Sequence, residues 1–373
     1  MKKHQADILT YDFTRLAHAM LQCDCAINLS HNPHLPGLIG KTMNWPVVSV
    51  LFHVSDIPVA WFSAVNTGRE WFSLPHFNNG AFWIDLKTIQ LWLSDQQMCA
   101  APDEKMFFEM LINRKHWFSS WVASNLFWIV SLEPSDFVPS GVTCEGKLYL
   151  SHRSYFPVSR FFSGHKTDSL LQLMEAPEQQ MQHFSPDVRR KIRKAVKNGI
   201  HVSTGGVELL DDFYCVYRRN IHALCSMGLP ESFFRSLVEN YAGGKISIMV
   251  AFFNNEPVGA AVLMTWLNFA ENPWFATLRQ FNKLYVGYLL HWAMMQTAIE
   301  TGCKIYSFGH STTGSSVHRY KQQWDSGDRI IYLNANKPVK ALNPKINYFR
   351  KVIGLLPLSL MKHFDLFIAR KYY

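Results

Sequence analysis

The stretch ISIMVAFFNNEPVGAAVLMTWLNF (246–269), with WFATL (274–278) after it, decides the fold. Val, Ile, Phe and Trp crowd both halves, and Asn254-Asn255-Glu256 between them supplies residues that tolerate the left-handed backbone of a tight hairpin. The spacing predicts three antiparallel strands, 246–253, 257–269 and 274–278. Downstream, an apolar helix is expected from about Tyr285 to Glu300, stopped by Gly302. A strand KIYSF (304–308), a short helix near 316–323 and a strand RIIYL (329–333) follow. Upstream, Ser185-Pro186-Asp187 reads as an N-cap with proline at the first helical position. Asn198-Gly199 ends that helix, and 200–203 is a short strand. Helices from about Glu208 to Ser226 and from Pro230 to Gly243 come next. Three neighbouring strands and then a crossover helix make a mixed sheet of α/β or α+β class.

The first half is plainer. VVSVLFHV (47–54) and PVAWFSAV (58–65), joined by Ser55-Asp56-Ile57, read as a β-hairpin, and Pro102-Asp103-Glu104 opens a helical pattern through Arg114. The polar run at 176–180 reads as a linker or helix start. The expected organisation is therefore an N-terminal α/β domain over 1–184, a second domain over 185–335 and a basic amphipathic helical tail over 336–373. At 373 residues the chain exceeds what one hydrophobic core normally serves.

Charge is concentrated. Six basic residues and no acid lie between Arg189 and Lys197, and eight basic residues against Asp365 lie between Lys337 and Tyr373, while the whole chain carries +9. The remainder is slightly acidic, so the two islands favour phosphates: nucleic acid, nucleotide or anionic lipid head groups. With 48% hydrophobic and 17% charged residues, disorder is excluded. Seven irregularly spaced cysteines suit reduced, mostly buried thiols and a cytoplasmic setting. Neither a signal peptide nor a membrane-spanning helix is expected. No G-x-S-x-G elbow, Walker loop or H-E-x-x-H occurs, and Cys23-x-Cys25 with His31 and His34 lacks zinc spacing, so no metal site is expected.

The order of elements is the layout of an N-acetyltransferase-type (GNAT) domain, and three segments narrow it: FSPDVRRKIRKAVKNGI (184–200), IETGCKIYSFGHS (299–311) and HRYKQQWDSGDRIIYL (318–333). The second half resembles the Fem-type aminoacyl/peptidyl transferases that build peptidoglycan cross-bridges, and their relatives encoded with bacterial exopolysaccharide and exosortase (PEP-CTERM) systems. WFSLPHFNNGAF (71–82) is similar to that family's "SLPF..yGG" segment, and GLLPLSL (354–360) to the short closing helix of the exosortase-associated branch. The resemblance implies tandem GNAT-like domains, each a mixed, mostly antiparallel sheet flanked by helices. The first would lack a complete donor site, and acyl transfer would take place at the second.

The family's aromatic-lysine pair falls on Tyr320-Lys321, and in relatives that lysine stabilises negative charge on the acyl oxygen or the donor's phosphates. A fixed cation beside a forming oxyanion is worth several kcal/mol on physical grounds alone. His310 and His318 are further candidates for proton transfer, and Tyr306 and Tyr285 for protonating a leaving group. Two departures stand out. The family's "DFGRS" reads SFGHS (307–311), with Ser307 for the acid and His310 for the arginine. The usual CoA signature is absent from RQFNKLYVGYLL (279–290), which keeps Arg279, Gln280 and Gly287 without the spacing. Backbone amides at that helix start can still cradle a phosphate. With Arg189 and Arg193 of the basic helix, these are the expected donor-binding residues. The expected donor is an acyl-CoA or an aminoacyl-tRNA, without metal, and the expected acceptor is an amine-bearing glycan or lipid-linked precursor. The tail from 347 alternates apolar and basic residues, and two readings stay open: it caps the first domain, or it makes peripheral membrane contact. The rival reading is a non-catalytic, degenerate GNAT accessory protein that binds a glycan carrier or tRNA.

Overall fold

The computed structural model describes residues 3–6, 11–23, 27–68, 70–96, 98, 103–107, 126–132, 150–155, 157, 161–226 and 228–335. The expected tail, and most of the helix expected over 102–114, lie outside the described residues. The chain divides into two compact units. The first spans Met1–His165 with Ile330–Val339, and the second is built on Lys166–Arg329. The division falls inside a strand, whereas the sequence reading places it at 184/185, after the Pro177 run.

In the first unit, β1 (Lys3–Ala6), β2 (Val47–Val54), β3 (Ile57–Asn66), β4 (Trp71–Ser73), β5 (Phe82–Ile84), β6 (Leu126–Ser131) and β7 (Leu150–Ser154) accompany α1 (Thr14–Gln22), α2 (His34–Met43) and α3 (Leu86–Asp95). The strand order is β1-β6-β2-β3-β4-β7, with β5 on β3. The β2–β3 hairpin forms as the sequence predicts, Val47 opposite Val65, and its turn places Ser55 and Asp56 at φ 46° and 65°. Strand β2 is buried throughout, which explains why apolar residues fill all but Ser49 and His53 of its length.

The second unit holds β8 (Phe161–Gln172), α4 (Pro177–His183), α5 (Pro186–Lys197), β9 (His201–Gly205), α6 (Leu210–Ala223), α7 (Glu231–Asn240), β10 (Ile246–Phe253), β11 (Glu256–Trp266), β12 (Phe269–Thr277), α8 (Val286–Glu300), β13 (Ile305–Thr312), α9 (Ser316–Gln322) and the start of β14 (Gly327–Ala335). Its order is β8-β13-β12-β11-β10-β9. The meander β10-β11-β12 is antiparallel, and β12–β13 is parallel because α8 carries the chain across the sheet. One boundary differs from the sequence reading. Strand β11 stops at Trp266, Leu267 turns with φ 52°, and β12 begins at Phe269. Glu271 and Asn272, polar residues that read as loop, are therefore buried strand residues.

Ser185 caps α5, its Oγ accepting from the Val188 amide at 3.4 Å, and Val188, Ile192 and Ala195 turn into the core. Helix α8 is buried along most of its length, with Leu290, Met294 and Met295 against β10 and β11. Cys303 is buried, but Cys215 and Cys225 are exposed, so the expectation of mostly buried thiols is corrected for the described residues. No helix among them is long and apolar enough to cross a membrane, and no cluster of His, Cys, Asp and Glu among them could hold a metal ion.

Candidate active site

Short helix α9 begins at Ser315, whose hydroxyl accepts from the His318 amide. Its one turn of register sends Lys321 inward. The side chain is only 5% exposed, and Nζ donates to the carbonyl oxygens of Gly309 (2.5 Å) and His310 (3.1 Å). An ammonium carries three donors, so one N–H remains for a substrate oxygen. Burial pulls the Lys321 pKa down to about 8, against the pull of the nearby carboxylates Asp168, Glu271 and Asp328. The group is thus a cation at neutral pH that is poorly solvated and close to its titration point.

The carbonyls that hold Lys321 belong to a bulge in β13. Pairing with β8 shifts between Ser307 and His310, and Gly309 sits at φ 75°, a conformation glycine adopts without strain. Three side chains support it. Ser307 Oγ donates to Asp168 Oδ1 at 2.6 Å and accepts from the Gly309 amide at 3.0 Å. With its amide oriented to donate, Asn272 reaches the carbonyl oxygens of Ser307 (3.1 Å) and Phe308 (2.9 Å). At the Ser307 departure, Asp168 on the neighbouring strand brings a fully buried carboxylate to the serine hydroxyl. Sequence reasoning missed Asp168, and its signal was an acid inside the otherwise strand-like SLLQL approach (169–173).

Under Lys321 lies an aromatic box around His291, a second residue the sequence reading missed. The signal was a histidine in the middle of a helix that is apolar on every side. Its ring stacks on Phe275 (4.3 Å, 10°) and its Nδ1 meets the Tyr306 hydroxyl at 2.9 Å. Burial, and then the charge of Lys321, hold His291 well below the ordinary histidine range, so it is neutral. Burial likewise pushes the phenols of Tyr306 and Tyr320 well above 10. Tyr320 packs edge-on to Tyr288 at 5.1 Å, and its hydroxyl stands where a side chain on Gly287 would reach it, at 3.3 Å.

The other candidates separate. The His310 side chain is exposed, and its backbone oxygen is what meets Lys321. His318 is buried with both ring nitrogens engaged: Nδ1 accepts from the Gly314 amide at 3.0 Å, so Nε2 carries the proton toward Asp328 Oδ2 at 2.8 Å. That ring braces α9. Arg279 and Gln280 lie exposed in a 3-10 turn that leads to Tyr285, and Tyr285 opens α8 at φ 64° without a side-chain cap. Beside that helix start, Lys194 lies 5.8 Å from the centre of the Tyr285 ring, and Lys191 lies over Tyr288 and donates to its hydroxyl at 3.0 Å. Arg193 is exposed and Arg189 half-buried. The basic helix is also less bare than its sequence suggests: Asp187, one turn earlier, pairs with Arg190 and Lys191, both at 2.6 Å. The exposed positive charge left on α5 is that of Arg193, Lys194 and Lys197.

Residues 182–322 match the family described as "Acetyltransferase (GNAT) domain". The protein is a transferase. No curated protein matches the sequence significantly. Among solved structures, the crystal structure of FemX is similar at 9% identity and a TM-score of 0.58, over 89% of this chain and 97% of that one. The structure of L-PGS from Bacillus licheniformis gives 13% identity, 92% and 97% coverage and a TM-score of 0.45. An acetyltransferase of the GNAT family from Colwellia psychrerythraea gives 11%, 89% and 99%, and 0.46. The FemX likeness shows that this transferase has the same fold over most of its length.

The carboxylates around Lys321 set how long it stays charged as pH rises. Asp168→Asn removes the largest of the pulls that raise its pKa, so the ammonium deprotonates at lower pH. The alkaline limb of the transferase's pH–rate profile is expected to move down by about one pH unit. An unmoved limb would separate Lys321 from catalysis.

Proposed function

We propose that the transferase moves an acyl or aminoacyl group onto an amine of a cell-envelope or exopolysaccharide precursor, in the manner of the Fem-type branch linked to exosortase systems. What carries the reading is the buried ammonium of Lys321, held by two backbone oxygens with one donor left over. The amine lone pair attacks the carbonyl carbon of a thioester or ester, a C–N bond forms, and the carbonyl π pair moves to oxygen. Lys321 donates to that oxyanion in a poorly solvated setting, where one donor is worth roughly 2.7–4 kcal/mol. The oxyanion then collapses, the C–S or C–O bond breaks, and the proton lost by the new amide nitrogen ends on the departing CoA sulfur or tRNA ribose oxygen. Tyr320 packs the end of α9 against the start of α8, and His310 lends its backbone carbonyl.

Donor phosphates fit the uncapped start of α8, where backbone amides and the helix dipole favour an anion. Arg279, Gln280 and Gly287 lie along that approach, and Lys194 of α5 stands beside the Tyr285 ring at its start. The acceptor reading, a cytoplasmic setting and a peripheral membrane role for the basic tail rest on the sequence resemblance and the charge pattern. Thermal-shift titration tests the donor. An acyl-CoA or an aminoacyl-tRNA is expected to raise the melting temperature as RT ln(1 + [L]/Kd), and a nucleotide-sugar is not. A flat response to both donors would point instead to the non-catalytic accessory role.

A further inference from the structure

The FNNGAF end of the 71–82 segment lines a cavity of about 60 Å³ inside the first unit. At roughly 10–15 Å³ per water-sized group, that space holds about four or five heavy atoms. Its wall is prebuilt. Asn28 caps a tight turn, accepting from the Ser30 amide at 2.9 Å, while its own amide meets His31 Nε2 at 3.1 Å. Ser30 Oγ ties the turn to the carbonyl of Asn79 at 2.6 Å. Gly80 lets His152 come close: a Cβ there would stand 2.2 Å from His152 Nδ1.

Against this order one group stands out. The Asn79 side chain is 2% exposed, and neither its amide nitrogen nor its amide oxygen has a hydrogen-bond partner among the described residues. A buried carboxamide left so bears the desolvation cost of each missing bond, so a complementary ligand is favoured. The surroundings bear on that ligand's charge: Glu104 also lines the wall, and burial raises its carboxyl pKa, so the charged form is disfavoured there. Burial lowers His31 and His152 to about 3, so both imidazoles are neutral. The Arg153 guanidinium already donates to the Phe77 carbonyl at 2.8 Å. Phe82, edge-on to His152 at 5.5 Å, gives the cavity an apolar side.

We infer that this cavity binds a neutral secondary amide, such as the 2-acetamido group of an amino sugar, with the Asn79 carboxamide pairing donor to acceptor and the methyl against Phe82. An acetamido group has four heavy atoms, one donor, one acceptor and one apolar end, which matches the space and the unmet groups. The inference stands without the transferase reading, because binding is read in the absence of any acyl donor.

Saturation-transfer NMR on the full chain tests it, with N-acetylglucosamine, glucose and N-acetylalanine methylamide as probes. N-acetylglucosamine is expected to bind with its acetyl methyl most strongly saturated, and glucose to give no signal. Asn79→Leu is expected to weaken binding about tenfold or more while the melting temperature holds. If that variant fails to fold, Asn79→Asp, which keeps the shape but loses the donor, should weaken it similarly. Saturation of the dipeptide analogue alone would keep the amide site and assign it to a peptide. Equal signals from glucose and N-acetylglucosamine, or no saturation from either amide, would overturn the proposal and leave a water-filled cavity.

Discussion

Replacing Lys321 by alanine is expected to lower transfer at least about a hundredfold while the chain remains folded, the scale of one lost oxyanion donor. The same lysine makes a signed prediction about pH. If the ammonium is the active form, the rate falls as pH rises through about 8, its folded-state value, rather than through the ordinary 10.5. For stability the sign is opposite. The folded state binds this proton less tightly than the unfolded chain, so the contribution to stability rises with pH between about 8 and 10.5. A depression of that size corresponds to about 3 kcal/mol against the charged form. Lys321→Met therefore removes a desolvated charge together with its two carbonyl hydrogen bonds, and is expected to melt no lower than the parent chain while being inactive. Steady-state transfer from purified donor to acceptor, with a melting curve on each variant, both across pH 7 to 10.5, checks these statements. Full turnover by the alanine variant would remove Lys321 from the mechanism.

Gly80→Ala carries the second large effect, and it acts in the other unit. The added Cβ meets His152 Nδ1 at 2.2 Å, His152 Cε1 at 2.6 Å and Ser73 Oγ at 2.8 Å. His152 is 1% exposed and packed edge-on to Phe82, and the Gly80 amide is tied to the Arg153 carbonyl at 2.7 Å, so neither the ring nor the backbone has room to withdraw. Overpacking of this kind is expected to destabilise by about 3 kcal/mol, seen as a lower urea midpoint at an unchanged slope, and to abolish amide binding in the cavity beside it. Gly68→Ala is the control: that glycine has open space around its Cβ position, so any loss there comes from its φ of 84° and not from crowding. An unchanged midpoint for Gly80→Ala would mean that the His152 ring has another place to go.

Periodicity and punctuation carried the elements of the second unit. The Asn254-Asn255 turn, the Ser185 cap and the stops at Gly199 and Gly302 are local signals, and each appears where local chemistry puts it, with φ of 85° and 83° at the two glycines. The boundary that moved, between β11 and β12, moved because Glu271 and Asn272 are polar. Only the neighbouring strand gives those side chains a reason to be buried, and its residues pair with β12 at a separation of 36 positions along the chain, as Glu271 does with Ser307.

By itself, then, the sequence determined the mixed sheet, the crossover helix and the position of Lys321 in a short helix, because these depend on residues close together along the chain. It also determined that charge is concentrated in islands, although not how much of that charge is free: Asp187 answers Arg190 and Lys191 only once the helix brings them to one side. Tertiary structure alone decided that Asp168 supplies the carboxylate missing at 307, a pairing of residues 139 positions apart. It alone set His291 under Lys321, and Asn79 in a cavity lined from the turn at 28–31, the 79–84 segment and residues 152–155 at the end of β7. The physical reason is the same in each case. Burial and proximity fix the protonation and hydrogen bonding of these groups, and both are created by strand register and helix packing between distant segments rather than by any residue's own type.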